Sequence, residues 1–96
     1  MPTASREVIV SNERGFHARP AMAFADVANR YQSKVTLTKP TRGEDEGGEA
    51  DGKSVMQLII LAAVPGTPMR IDADGPDAEE VVAKLAELFE RKFDEE

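Results

Sequence analysis

The 96 residues carry 18 acidic and 12 basic side chains, a net charge of −6, with 41% hydrophobic residues, one histidine and no cysteine. This describes one small domain over residues 1–96, with its core over 6–93, and excludes a disulfide scaffold or a thiolate metal site. The single histidine leaves little for zinc, so no metal or cofactor is expected, and the charge opposes nucleic acid and anionic lipid while suiting a partner with a basic docking patch. The leader Met1-Pro2-Thr3-Ala4-Ser5-Arg6 has no apolar region of the signal-peptide kind, and no stretch reaches the ~18 apolar residues of a membrane span. The cytoplasm is the expected location, without membrane insertion.

Val8, Ile9 and Val10 predict the first strand, and Ser11-Asn12-Glu13-Arg14-Gly15 a loop leading out of it. Proline lacks a backbone N–H and fits a helix only in its first turn, so Pro20 sets a helix start between His17 and Pro20 and puts His17 at or beside the N-cap. The free N–H groups of Ala18 and Arg19 then point out of the helix end, where the macrodipole favours an anion, and the Arg19 side chain can add a charge-assisted hydrogen bond. Gly15 supplies the freedom for a tight approach to the helix. An imidazole with the ordinary pKa of about 6.5 is mostly neutral at pH 7, and the positive helix end favours the neutral form further. A nucleophilic nitrogen beside an anion site is the arrangement for accepting and releasing a phosphoryl group. A plain surface or core histidine is the bland alternative, but helix start, arginine and glycine each suit an anion at the same point.

Ala21, Phe24, Ala25, Ala28 and Tyr31 form one apolar stripe, predicting a helix that ends near Tyr31. Met22 lies off the stripe and close to His17, either an exposed partner contact or a partly buried methionine. Lys34–Lys39 alternates as a half-buried strand, whereas residues 40–52, with four glycines and five acids, read as a mobile acidic loop in which a short strand survives near Glu49 to Asp51. The acids lack the ligand spacing of an EF-hand. Ser54 and Gln57 have the spacing of a capping box, and Leu58 to Ala63 is an apolar run that periodicity alone leaves as helix or strand. The cap favours a short helix with Leu58, Leu61 and Ala62 toward the core. Val55, Met56 and Ile59 are then partly exposed, as a docking surface or through incomplete burial. Pro65-Gly66-Thr67-Pro68 is a turn, and Met69–Asp74 alternates as the last strand. A final helix follows with Pro76 at its first position, Asp77, Glu79 and Glu80 at its positive end, Arg91 and Lys92 at its negative end, and Ala78, Val81, Val82, Leu85, Leu88, Phe89 and Phe93 buried. The order is that of an α+β domain with helices on one face of a largely antiparallel sheet.

Gly15, His17, Ala18, Arg19 and Pro20 resemble the active-site motif of the HPr phosphocarriers of the bacterial phosphotransferase system, and Lys53-Ser54-Val55-Met56-Gln57-Leu58 resembles their second motif. The likeness runs from about Val8 to Phe93. It implies an open-faced β-sandwich: four mainly antiparallel strands in the order one-four-two-three, covered on one face by three helices. It also implies a monomeric carrier rather than an enzyme with turnover. His17 would take phosphate on Nδ1 from phosphorylated enzyme I and pass it to IIA-type acceptors, with Arg19 steadying the phosphoryl oxygens. Ser54 matches a position that a dedicated kinase phosphorylates in some bacteria, which adds a serine kinase or phosphatase to the expected partners; a plain N-cap role is compatible. Phe16 departs from the family's usual aliphatic residue and the acidic loop is longer than usual, leaving sugar transport, a nitrogen-related regulatory branch and a diverged carrier all open. The alternative function is a non-catalytic anion- or protein-binding module in which His17 transfers nothing.

Overall fold

Four strands whose apolar residues recur at every second position form one sheet: β1 (Thr3–Ile9), β2 (Lys34–Lys39), β3 (Gly48–Asp51) and β4 (Pro68–Asp74). The computed structural model describes residues 2–44 and 46–95. Met1, Asp45 and Glu96, which belong to the leader, the acidic loop and the domain limits named above, lie outside the described residues. The order is β1-β4-β2-β3 and every pairing is antiparallel, as the family resemblance implies. Val8 faces Met69, Leu37 faces Ile71 and Val35 faces Ala73, so the buried residues of neighbouring strands share one side of the sheet. Helices α1 (Ala18–Ala28), α2 (Val55–Leu61) and α3 (Ala78–Glu90) pack onto that side through Phe24, Leu58, Val81, Leu85 and Phe89, and a short turn over Lys92–Asp94 follows α3. The opposite side is open to solvent.

Several boundaries differ from those expected. β1 begins at Thr3 in the polar leader, because the sheet's solvent side accepts Thr3, Ser5 and Glu7 while the leader pairs with β4 down to Asp74. Val10 falls outside the strand yet is fully buried, its N–H bonded to the Thr67 carbonyl. α1 stops at Ala28, where the Asn29 side chain donates to the Ala25 carbonyl, and Tyr31 packs half-buried beyond the helix end. The strand expected near Glu49 to Asp51 is present as β3, with Ala50 buried, and it reduces the acidic loop to residues 40–47. Leu58 and Leu61 of α2 are buried, but Ala62 is exposed: it is the C-cap with φ 41°, which turns it off the helix face. Pro76 lies before the N-cap Asp77 of α3 and not at its first helical position, and the buried Phe93 belongs to the turn after α3.

The segment before α1 is held by its backbone. Phe16 donates to the Ala63 carbonyl at 2.7 Å and accepts from the Ala63 N–H at 3.2 Å, forming a bridge between the loop after β1 and the chain after α2. This close approach passes through Gly15, which has φ 76° and where a Cβ would collide with the Ala63 carbonyl oxygen. At the opposite end of α1, the Asp77 carboxylate accepts from the backbone N–H groups of Gln32 and Ser33 and from the Ser33 hydroxyl. The Ser33 hydroxyl and the Gln32 N–H hold the Asp77 carboxyl below its usual value of 3.8.

Gly15→Ala should lower unfolding stability by roughly 1–3 kcal/mol in urea melts, since both the positive φ and the collision oppose it. Because its folded pKa is depressed, Asp77 contributes stability that is fully present above its unfolded pKa and lost as pH falls through the folded one. Asp77→Asn should therefore melt below wild type at pH 7, with the gap closing under acid; a gap independent of pH would contradict this role.

Candidate functional site

His17 is the N-cap of α1, in extended backbone (φ −131°, ψ −158°), with its side chain 35% exposed. The first helical hydrogen bond runs from the Ala21 N–H to the His17 carbonyl at 2.9 Å. The N–H groups of Ala18 and Arg19 have no partner among the described residues, leaving two donors at the positive end of α1. Pro20, buried in the first turn, withdraws the third donor. Helix start, imidazole and free amides are thus brought together as the sequence suggests. An open concavity beside them is lined by Arg14, His17, Lys39 and the chain from Ala62 to Pro65, so two basic side chains share the imidazole's surroundings in an otherwise acidic protein.

The side chains that hold the ring were not among those the sequence singled out. His17 Nε2 lies 3.2 Å from Oε1 and 3.1 Å from Oε2 of Glu95, whose side chain is only 7% exposed. Asn12, fully buried, donates through Nδ2 to the Gly15 carbonyl at 2.7 Å and to Glu95 Oε1 at 2.8 Å. Its Oδ1 is buried without a hydrogen bond among the described residues. Burial would push the Glu95 carboxyl up, but the hydrogen bonds from Asn12 and His17, with the charges of His17 and Arg19, bring it below the usual value. Nδ1 of His17 makes no hydrogen bond among the described residues.

Glu95 reaches the ring because the chain doubles back after α3. Lys92, Phe93 and Asp94 all have positive φ, at 55°, 53° and 58°, a conformation that costs a non-glycine residue roughly 1–2 kcal/mol. Phe93 offsets this by packing on Phe89 with ring centroids 4.8 Å apart and on Phe16 at 5.9 Å, while Phe16 stacks on Phe89 at 6.0 Å. The aromatic residue at position 16 is therefore part of a cluster that joins the His17 segment to the chain after α3. Asn12 falls in a stretch legible only as loop, and Glu95 beyond a helix end; an asparagine three residues before a glycine is the signal the sequence offers for Asn12.

Ser54 is the N-cap of α2 and its Oγ accepts from the Gln57 N–H at 3.2 Å. The reciprocal half of the capping box is missing, since Gln57 Oε1 accepts from the Asp51 N–H instead. α1 and α2 pack together and expose Met22 (59%), Met56 (72%), Val55 (37%) and Ile59 (40%). Ile60 and Val64 are also well exposed. No group of three or more potential metal ligands occurs among the described residues, and no helix there is long and apolar enough to cross a membrane.

The family profile described as "PTS HPr component phosphorylation site" matches residues 4–91. Phosphocarrier protein NPr of Proteus mirabilis is 39% identical over 94 residues, covering 98% of this chain and 99% of that protein. Phosphocarrier protein HPr of Xylella fastidiosa is 37% identical over 90 residues, covering 94% of each. Among solved structures, HPr-C-His from Thermoanaerobacter tengcongensis superposes with a TM-score of 0.81 at 29% identity, covering 97% of this chain and 98% of that one. A phosphocarrier protein HPr from Bacillus anthracis gives 0.77 at 31% identity, covering 91% and 96%. Members of this family are phosphocarriers and not catalytic enzymes. With the profile, the relatives and the fold in agreement, the chain belongs to the HPr family of phosphotransferase-system phosphocarrier proteins.

Proposed function

We propose that His17 is the phosphoryl acceptor of this carrier, loaded by phosphorylated enzyme I and discharged to IIA-type acceptors in the cytoplasm, with the protein acting as a monomer. The observation that carries this reading is a part-exposed imidazole at the N-cap of α1, with the N–H groups of Ala18 and Arg19 at the same helix end unpartnered among the described residues. Phosphoryl transfer demands little covalent chemistry of the protein beyond positioning and charge stabilisation, and both are available here. The two amides and the Arg19 guanidinium receive the phosphoryl oxygens, and the basic side chains of Arg14 and Lys39 line the concavity beside the ring. An exposed nucleophile suits a shuttle, which must present the same atom to two partners in turn.

Met22 on α1 and Val55, Met56 and Ile59 on α2 form the docking surface. Their exposed side chains lie on two helices packed against each other, and methionine adapts its shape to more than one partner. Ser54, half-buried at the start of α2, is the regulatory position. A phosphoserine there would bring roughly two negative charges to the edge of that apolar surface and hinder docking of a partner matched to the unmodified chain.

With purified enzyme I and phosphoenolpyruvate, the wild-type protein should gain one acid-labile phosphoryl group. His17→Ala should gain none while still unfolding as a cooperative, folded domain in urea melts. Arg19→Ala should still be loaded, with the rate lowered roughly tenfold or more. Loading of His17→Ala, or an unchanged rate for Arg19→Ala, would remove the corresponding assignment. Ser54→Asp should weaken binding to enzyme I roughly 3- to 10-fold with folding intact, and calorimetry giving the wild-type Kd would dismiss Ser54 as a regulatory position.

A further inference from the structure

We propose that Glu95 is a positioning residue for His17: its carboxylate receives the Nε2–H, fixes the ring in that tautomer, and leaves Nδ1 as the nucleophilic nitrogen. This rests on the carrier reading of His17. A neutral imidazole carries one N–H, and an ionised carboxylate only accepts hydrogen bonds, so the nitrogen facing Glu95 must be the protonated one. Both carboxylate oxygens lie within 3.2 Å of Nε2, and Nδ1 is unpartnered among the described residues.

Two further features show that this contact is built. The carboxylate is nearly buried and is itself held by Nδ2 of Asn12, a fully buried side chain whose second hydrogen bond closes the loop at the Gly15 carbonyl. The backbone that delivers it passes through three consecutive non-glycine residues of positive φ, a conformation retained only where surrounding contacts impose it. Here those contacts are the Phe93 ring in its aromatic cluster on one side of Asp94 and the Glu95 hydrogen bonds on the other.

The chemistry is balanced without moving a proton. The Nδ1 lone pair forms the N–P bond as the bond from phosphorus to the donor group breaks, its electron pair leaving with the donor. The ring, which already holds the proton on Nε2, becomes a phosphorylated imidazolium facing the Glu95 carboxylate. On discharge the N–P bond breaks, the electron pair returns to Nδ1, and Nε2 keeps its proton. Glu95 orients the ring and opposes the positive charge that appears in both directions, as the buried carboxylate behind the histidine of a hydrolase triad does.

Because the protein has one histidine, its ring nitrogens can be read directly by ¹⁵N NMR. Unphosphorylated wild type at a pH where the ring is neutral should show Nε2–H and an unprotonated Nδ1. Glu95→Ala should shift the ring toward a mixture of tautomers and slow loading from phosphorylated enzyme I roughly tenfold. Glu95→Gln keeps an acceptor oxygen but no charge, so it should retain the tautomer while remaining slower than wild type. Wild type with the proton on Nδ1, or Glu95→Ala with wild-type tautomer and rate, would overturn the proposal. Failure of every protein to be loaded, wild type included, would reject the carrier reading; the tautomers of wild type and Glu95→Ala would then still decide whether Glu95 sets the ring.

Discussion

Everything at the His17 end of the molecule depends on where Phe16 goes. Its ring is 1% exposed and meets Phe24, Phe89 and Phe93, while its backbone bridges Ala63, so the residue next to the imidazole is fixed by side chain and main chain together. A part-exposed side chain is ordinarily free to move among rotamers. Anchoring its neighbour in the core fixes the backbone from which the imidazole projects, and the aromatic pairs contribute roughly 0.5–1.5 kcal/mol each beyond their buried area. The same cluster holds Phe93 and so sets the direction in which the chain after α3 returns. The Phe16 ring is received by Phe89 and Phe93 at centroid distances of 6.0 and 5.9 Å.

Much of this was legible in the sequence, and the reasons are specific. Pro20 can occupy only the first turn, so a helix start between His17 and Pro20, with His17 at or beside the N-cap, followed from one residue's missing N–H, and the structure makes His17 the N-cap itself. The alternation in Lys34–Lys39 gave β2 with both boundaries, because a strand with one wet face cannot conceal its period. Ser54 gave the start of α2 through an ordinary cap. Glu95 was invisible for an equally physical reason. Its role depends on a reversal made by Lys92, Phe93 and Asp94, none of which is a residue that favours positive φ as glycine does. Tertiary packing of Phe93 imposes the turn, and no local pattern encodes it. Asn12 was hidden likewise, since its two hydrogen bonds reach a carbonyl three residues on and a carboxylate 83 residues away.

The charge distribution connects these details to the task. A protein of net charge −6 does not attract anions over distance, and at physiological salt fields between exposed charges fade over about 8 Å. Anion binding at the proposed site must then be local, and the groups there are the cationic side chains of Arg14, Arg19 and Lys39, with the Ala18 and Arg19 amides that have no partner among the described residues. The His17 imidazole, the groups proposed to bind the phosphoryl anion and the Glu95 carboxylate come from the chain before α1, from the first turn of α1, from β2 and from the segment after α3. Only the folded domain assembles them.

³¹P and ¹⁵N NMR of the uniformly ¹⁵N-labelled protein, after loading by enzyme I and phosphoenolpyruvate, would locate the phosphoryl group. A single phosphoramidate resonance coupled to Nδ1 of His17, with Nε2 carrying a proton, is expected. Phosphate on Nε2, or on any side chain other than His17, would contradict it.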